Sequence, residues 1–302
     1  MIGVLNIYKP RGVSSSFVVV KLKKLLNTKK VGHMGTLDPL AEGVLPICVE
    51  RATKLFDYFL KKQKTYVATF QFGYQTSTLD LEGEIEQKSL NIPTYEQLQL
   101  AAKKMIGKSF QMPPKYSSKK IGGQKACDLV RSGKDIELKP CEIEIFDFKI
   151  INQIAQDTFE FEITCSAGTY IRSIARDLAQ SVGSLATMTK LVRTKSGPFL
   201  INNSISFEKL EQTNLEKELI SLEEVLIDFD PLFITETQLK TLLDGKKLLV
   251  EEIVKTNKKN AQIKHSSNKF NEQVFYKVVC NNSVVAIAFI NDGSIKVKTY
   301  FI

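Results

Sequence analysis

The chain has only two histidines in 302 residues, His33 and His265, which argues against a histidine-rich zinc or iron site. Its five cysteines, Cys48, Cys127, Cys141, Cys165 and Cys280, are odd in number and nowhere paired at metal-ligand spacing. They predict reduced thiols, with no metal and no disulfide framework. No apolar run approaches bilayer-spanning length, and the opening MIGVLNIYKPRG lacks a charged region followed by a long apolar stretch. The expectation is a cytoplasmic protein without a membrane partner. Internal repeats are absent, and one stretch, residues 103–125, holds seven lysines and no acidic residue.

What is present is ample for a core. At 43% hydrophobic residues the chain can bury one large domain and a small one. The formal net charge of +9 favours a polyanionic partner. The stretch that organises the rest is 31–49, VGHMGTLDPLAEGVLPICV. Its glycines open backbone angles closed to other residues, and Pro39 forces Asp38 into an extended conformation. A carboxylate is thus held in a glycine-rich turn just before the apolar run Val44 to Val49, which reads as a buried strand.

Along the chain, Ser14 to Ser16 offer an N-cap for a helix with Val18, Leu22, Leu25 and Leu26 on one face. A second helix carries Leu55, Phe56, Phe59 and Leu60. Residues 65–72 alternate cleanly, placing Tyr66, Ala68, Phe70 and Phe72 on the core face of a strand. Thr76 to Gly83 reads as a turn that leaves Asp80 free for hydrogen bonds. The lysine-rich stretch 103–125, broken by Pro113, Pro114, Gly122 and Gly123, reads as a mobile basic loop fit to lie along a phosphate backbone. Residues 157–165 form another alternating strand, leading into a helix with Ile171, Ile174, Ala175 and Leu178 inward and Thr169 as N-cap. Arg172 falls in that helix's first turn, unfavourable against the helix dipole unless an anion lies opposite. Lys190 to Lys195, with Arg193, gives a basic strand.

Residues 205–226 read as helical and 227–235 as a linker. Beyond them come a helix over Glu236 to Gly245, a strand near Leu248 to Val254, a lysine- and asparagine-rich loop from Lys255 to Asn271, and three strands, Val274 to Cys280, Val284 to Ile290 and Ile295 to Phe301. The pattern predicts an α+β domain around a mainly antiparallel mixed sheet flanked by helices, with a small β-barrel-like unit appended. The catalytic domain is placed at 1–228 with a basic insertion at about 103–142, and the small domain at 229–302.

An Asp in such a turn can be a nucleophile, a general base or a metal ligand. Paired-carboxylate hydrolysis needs a second acid at a defined distance, and nothing fixes Glu42 there. Magnesium would want several oxygens, and Asp38, Glu42 and Asp80 have no familiar spacing. A carboxylate with an Arg and a Tyr, and no cofactor motif, suits an isomerisation or a glycosyl-type displacement.

Five segments together resemble the TruB-type tRNA pseudouridine synthases. They are Asn6 to Pro10, the GHMGTLDPLAEGVLPI block, Lys64-Thr65-Tyr66 with TSTLDLEG, Pro113-Pro114 with Tyr116-Ser117, and AGTYIRSIARDLA followed by Leu191 and Arg193. The resemblance implies that Asp38 attacks the T-loop uridine at position 55 of tRNA. Tyr66 then stacks on the base and takes part in proton removal, and Arg172 pairs with Asp38. Tyr170 lies in the pocket, Leu191 forms an apolar wall, and His33 enters the T loop. Lys9, Asp80 and Arg193 support the substrate or the site. No cofactor is implied, the partner is the T arm of tRNA, and the protein is expected to be a monomer. The basic stretch matches the family's insertion over the T arm, but Cys127 and Cys141 stand where the family commonly has Tyr and Arg. The C-terminal unit falls where the family carries a PUA-like RNA-binding domain.

Two rival readings remain at this point. One is a tRNA-binding or tRNA-folding protein with a vestigial pocket, against which Asp38, Tyr66 and Arg172 together speak. The other is an Asp-dependent hydrolase of a small glycoside, which the positive charge disfavours.

Overall fold

The computed structural model describes residues 2–60, 62–117, 119–134, 136–257, 269–270 and 273–302. A ten-stranded sheet forms its centre. Its principal strands are β1 (Gly3–Lys9), β2 (Glu42–Val49), β3 (Lys64–Phe72), β4 (Gly107–Gln111), β5 (Cys141–Ala155), β6 (Thr158–Cys165) and β7 (Ala186–Ser196). They lie in the order β1-β2-β7-β3-β6-β5-β4, with the short strand Ile205–Ser206 parallel to the outer edge of β1. Every pairing along the row β1 to β4 is antiparallel except β2 with β7.

That parallel seam positions the site. Arg193 of β7 lies opposite Gly43 of β2, and a Cβ on Gly43 would stand 2.3 Å from the Arg193 carbonyl oxygen. Gly43 also has φ +104°, in the left-handed region that a side chain disfavours. Only glycine lets the strand after the Asp38 turn come this close to β7.

Helices α1 (Ser15–Leu25), α2 (Tyr95–Lys104) and α3 (Ile171–Ser181) cover the sheet. Ser14 caps α1 as expected, its side chain accepting from the Phe17 amide. The alternation of β3 and β6 gives a core of facing aromatics, with Phe70 and Phe161 ring centroids 4.9 Å apart. Each buried ring contributes roughly 1.5–3 kcal/mol.

The C-terminal unit is a four-stranded sheet of β8 (Pro231–Phe233), β9 (Tyr276–Cys280), β10 (Ser283–Asn291) and β11 (Ser294–Tyr300), in that order. One face closes over α4 (Glu236–Leu243) and α5 (Val250–Thr256) through Leu242, Ile253 and Val278. The other shares a core with the main sheet's outer layer, where Tyr58 meets Phe229 and Phe275 edge-on at 6.2 and 5.6 Å. The small unit is therefore anchored by aromatic packing, and the expected linker 227–235 supplies strand β8.

Several expectations need correction. The basic stretch is not a loop throughout: β4 adds to the free edge of β5, and Lys120–Ile121 pairs with Gln124–Lys125. Gly122 and Gly123 both have positive φ, the pattern of a two-residue hairpin turn. Lys108 on β4 suits an edge strand, where charge blocks further pairing. Residues 205–226 are not one helix. Ile205–Ser206 joins the sheet, Ile220 exchanges backbone bonds with Val4, and only Leu222–Val225 is α-helical, with a Ser221/Glu224 capping box. The run near 248–254 is helical from Val250, because Glu251 and Glu252 suit a first turn and Ile253 packs inward. Helix α3 begins after Tyr170, which occupies the N-cap without a side-chain cap; Thr169 instead lies 3.4 Å from the Ser166 hydroxyl. Most of the lysine- and asparagine-rich run, with His265, lies outside the described residues.

Candidate active site

Asp38 stands in the turn between the strand Val31–His33 and β2. The turn is held by its backbone: Ala41 donates to the Asp38 carbonyl at 3.0 Å and Gly12 to that of Pro39 at 2.8 Å. Beneath it lies Arg193, 1% exposed. Its guanidinium donates to the carbonyls of Val44 (2.7 Å), Gly35 (3.1 Å) and Thr36 (3.4 Å). Arg193 belongs to a strand that the sequence reads as basic, and it serves as an internal strut. Burial lowers its pKa, opposed by the Tyr66 phenol beside it.

Tyr66 sits opposite Arg193 across the β3–β7 pairing. Burial pushes its phenol up to about 12, so the hydroxyl stays neutral near pH 7. Lys9, fully buried on β1, donates to the carbonyls of Pro10 (2.9 Å) and Val13 (2.6 Å). Burial pulls its ammonium down to about 8, with the Asp38 charge acting in the opposite direction.

The anions that the position of Arg172 demanded are both present. One nitrogen, Nη2, lies 2.9 Å from Asp38 Oδ2, and the other, Nη1, 3.1 Å from Asp80 Oδ2. The same nitrogens donate to the carbonyls of Tyr116 and Thr78, each at 3.1 Å. Asp80 is sealed and further held by the Thr78 hydroxyl (2.5 Å) and the Glu82 amide (3.0 Å). The Asp38 side chain keeps 42% of its surface exposed, against 3% for Asp80. One carboxylate is structural and the other is presented.

It is presented to two cavities, both walled by Asp38 and Arg172. The smaller, about 230 Å³, is lined by Lys64, Tyr66, Tyr170, Leu191 and Arg193. The larger, about 710 Å³, is lined by Asp80, Glu82, Glu84, Glu86, Tyr116 and Ser117. The first is the size and character of a slot for a flat ring, and the second is a polar forecourt. Among the described residues, no group of three or more His, Cys, Asp or Glu side chains is arranged to hold a metal ion.

Of the nine candidates from the sequence, six line the smaller cavity, and Asp80 lines the larger. Lys9 is buried behind the turn. His33 lines neither cavity; it pairs opposite Ile47, with Nδ1 buried and, among the described residues, without a hydrogen-bond partner. Burial lowers the pKa of its imidazole.

Two residues with a part in the site went unread. Lys64, 6% exposed, donates to the carbonyls of Leu60 (3.0 Å) and Lys62 (2.9 Å), and burial pulls it down to about 8. The alternation that places Tyr66 inward places Lys64 on the same face, so the signal was present. Gln111, 2% exposed, grips the backbone of Tyr170 at both ends, accepting from its amide at 2.9 Å and donating to its carbonyl at 3.2 Å. Nothing local in the sequence marks that contact, which spans 59 positions.

Comparison with known proteins gives consistent matches. Residues 23–171 match the family model described as TruB family pseudouridylate synthase, N-terminal domain. Residues 172–233 match that of the tRNA pseudouridylate synthase B C-terminal domain. A tRNA pseudouridine synthase B of Clostridium novyi is 41% identical over 249 residues, 82% of this chain and 86% of that protein. One of Francisella philomiragia is 43% identical over 231 residues, 75% of this chain and 76% of that protein. Among solved structures, a chain of a Cbf5-Nop10-Gar1 complex superposes with a TM-score of 0.73 at 22% identity, covering 99% of this chain and 85% of that one. The last match speaks to the fold alone.

Proposed function

The chain belongs to the TruB family of pseudouridylate synthases, and from that membership we propose that it isomerises the T-loop uridine at position 55 of tRNA to pseudouridine, with Asp38 as nucleophile. The target base leaves the stack and enters the smaller cavity, at a cost of a few kcal/mol that contacts with Tyr66 and Leu191 offset. The Asp38 carboxylate forms a covalent bond to the nucleotide, and the N-glycosidic bond breaks. The uracil turns within the slot, C5 bonds to C1′, the bond to Asp38 breaks and returns the free carboxylate, and the C5 proton leaves while N1 gains one. No atom is gained or lost.

The observation that carries this reading is the fork of Arg172, which fixes a presented carboxylate at the wall of a ring-sized slot by tying it to a sealed one. The cation 2.9 Å from Asp38 keeps the carboxylate aimed. Tyr66, kept neutral by burial, offers a flat ring to the base from its place opposite Arg193. Glu82, Glu84 and Glu86 at the outer cavity repel phosphates and accept hydrogen bonds from base amino groups, so the strand enters with its bases toward that wall. Lys108 of β4, with Lys115 and Lys119 beyond it, meets the backbone of the T arm, and residues 229–302 form the PUA-like unit that extends the contact. His33 acts on the T loop from outside the slot. The protein works as a monomer in the cytoplasm; among the described residues no helix is long and apolar enough to cross a membrane.

The test is incubation of the purified protein with an unmodified tRNA transcript, followed by mapping of pseudouridine. Modification confined to position 55 supports the reading. A protein that binds the transcript and leaves every uridine intact is a binder with a vestigial pocket.

A further inference from the structure

We propose that Ser15 is a positioning residue for Asp38, acting through the backbone of Leu37. Ser15 is the first residue of α1, next to the capping Ser14 but with a different task. Its hydroxyl accepts a hydrogen bond from the Leu37 amide at 2.9 Å and donates one to the Leu37 carbonyl at 2.9 Å. One side-chain oxygen thus satisfies both polar groups of the residue that immediately precedes the nucleophile. Ser15 is 2% exposed and Leu37 is 3% exposed, so no water competes for either bond.

The rest of the turn explains why this grip matters. Gly35 and Thr36 are held by Arg193, and Pro39 by the Gly12 amide. Among the described residues Leu37 has no strand partner, and Ser15 supplies what a neighbouring strand would give. Among the described residues the Asp38 side chain has one firm tie, to Arg172. As the carboxylate bonds to the nucleotide its negative charge is consumed and that ion pair weakens. At that moment the position of Asp38 depends on its backbone, and Ser15 is the side chain that anchors the adjoining peptide. Misplacement by about 1 Å is enough to cost on the order of 100-fold in rate.

The inference rests on the reading of Asp38 as nucleophile. Single-turnover conversion of a tRNA transcript is measured for the wild type and for Ser14→Ala, Ser15→Ala and Ser15→Thr, alongside tRNA affinity and thermal midpoint. Ser15→Ala is expected to lose roughly 10- to 100-fold in the chemical step while tRNA affinity stays within about twofold. Ser15→Thr, which keeps the hydroxyl, restores most of the rate. Ser14→Ala removes the helix cap and lowers the midpoint comparably without slowing the chemical step, which separates positioning from stability. Full single-turnover rate in Ser15→Ala, or a loss that Ser14→Ala reproduces at equal midpoint, overturns the proposal. A wild type that forms no pseudouridine overturns the underlying reading instead.

Discussion

Asp38 and Asp80 are held by opposite ends of one guanidinium, 2.9 and 3.1 Å from the nitrogens of Arg172, yet one side chain is largely open and the other is sealed. The asymmetry divides their work. Asp80 saturates its oxygens with Arg172, the Thr78 hydroxyl and the Glu82 amide, so it fixes the arginine. The arginine in turn fixes Asp38 through one oxygen, and among the described residues the other has no partner and is open to react.

Replacing Asp80 with Asn keeps the shape but turns an anion into a neutral amide. Arg172, only 7% exposed, then loses half of its compensation. Breaking a buried pair on one side costs about 3 kcal/mol. We expect a comparable loss of folding stability by chemical denaturation. The chemical step should slow at least tenfold with little change in tRNA affinity, because Asp80 is sealed from any ligand. Unchanged stability contradicts this assignment.

Gly43→Ala tests the parallel seam. A Cβ there would meet the Arg193 backbone at 2.3 Å, and φ of +104° adds strain. The two strands must part, so we expect destabilisation of about 3 kcal/mol or more. Thermal unfolding with a midpoint within a degree or two of wild type would show that the strands do not approach so closely.

Lys64 gives a pH signature. Its pKa falls from 10.5 in the unfolded chain to about 8 in the fold, through burial first and the Arg193 charge second. Between those values the unfolded chain binds the extra proton, so this group's contribution to stability rises with pH across that window and is flat below it. Denaturant midpoints of wild type and Lys64→Met, compared at pH 7.5 and above, should diverge in favour of wild type by on the order of 1 kcal/mol per pH unit past about 8. A constant difference removes the argument. Using the difference cancels the opposing effect of Tyr66 and Cys48, whose raised values make the fold lose stability at high pH.

Much of this architecture was legible in the residues themselves. Period-two alternation placed Tyr66, Phe70, Phe159 and Phe161 inward, and all four are buried. The unfavourable place of Arg172 in a first turn signalled an anion, and two were found. Where the reading failed, tertiary contacts decided. A lysine-rich segment looked unfit for a core, but β4 needs only an open sheet edge, which local composition does not reveal. The β-branched run at 250–254 satisfies strand propensity, yet helix α5 forms because Ile253 finds an apolar surface there. Arg193 reads as one charge among lysines, and its role as a strut depends on carbonyls about 150 positions away. The grip of Gln111 on Tyr170 is invisible for the same reason.

The central claim is that the Asp38 carboxylate forms the bond that frees the uracil. Its most direct test is single-turnover conversion of an unmodified tRNA transcript by Asp38→Asn, with affinity for the same transcript measured in parallel. The amide keeps the shape and a hydrogen bond but cannot act as the nucleophile, so the account predicts no pseudouridine at position 55 with binding within a few-fold of wild type. Pseudouridine formed by Asp38→Asn at a rate near that of wild type would contradict it.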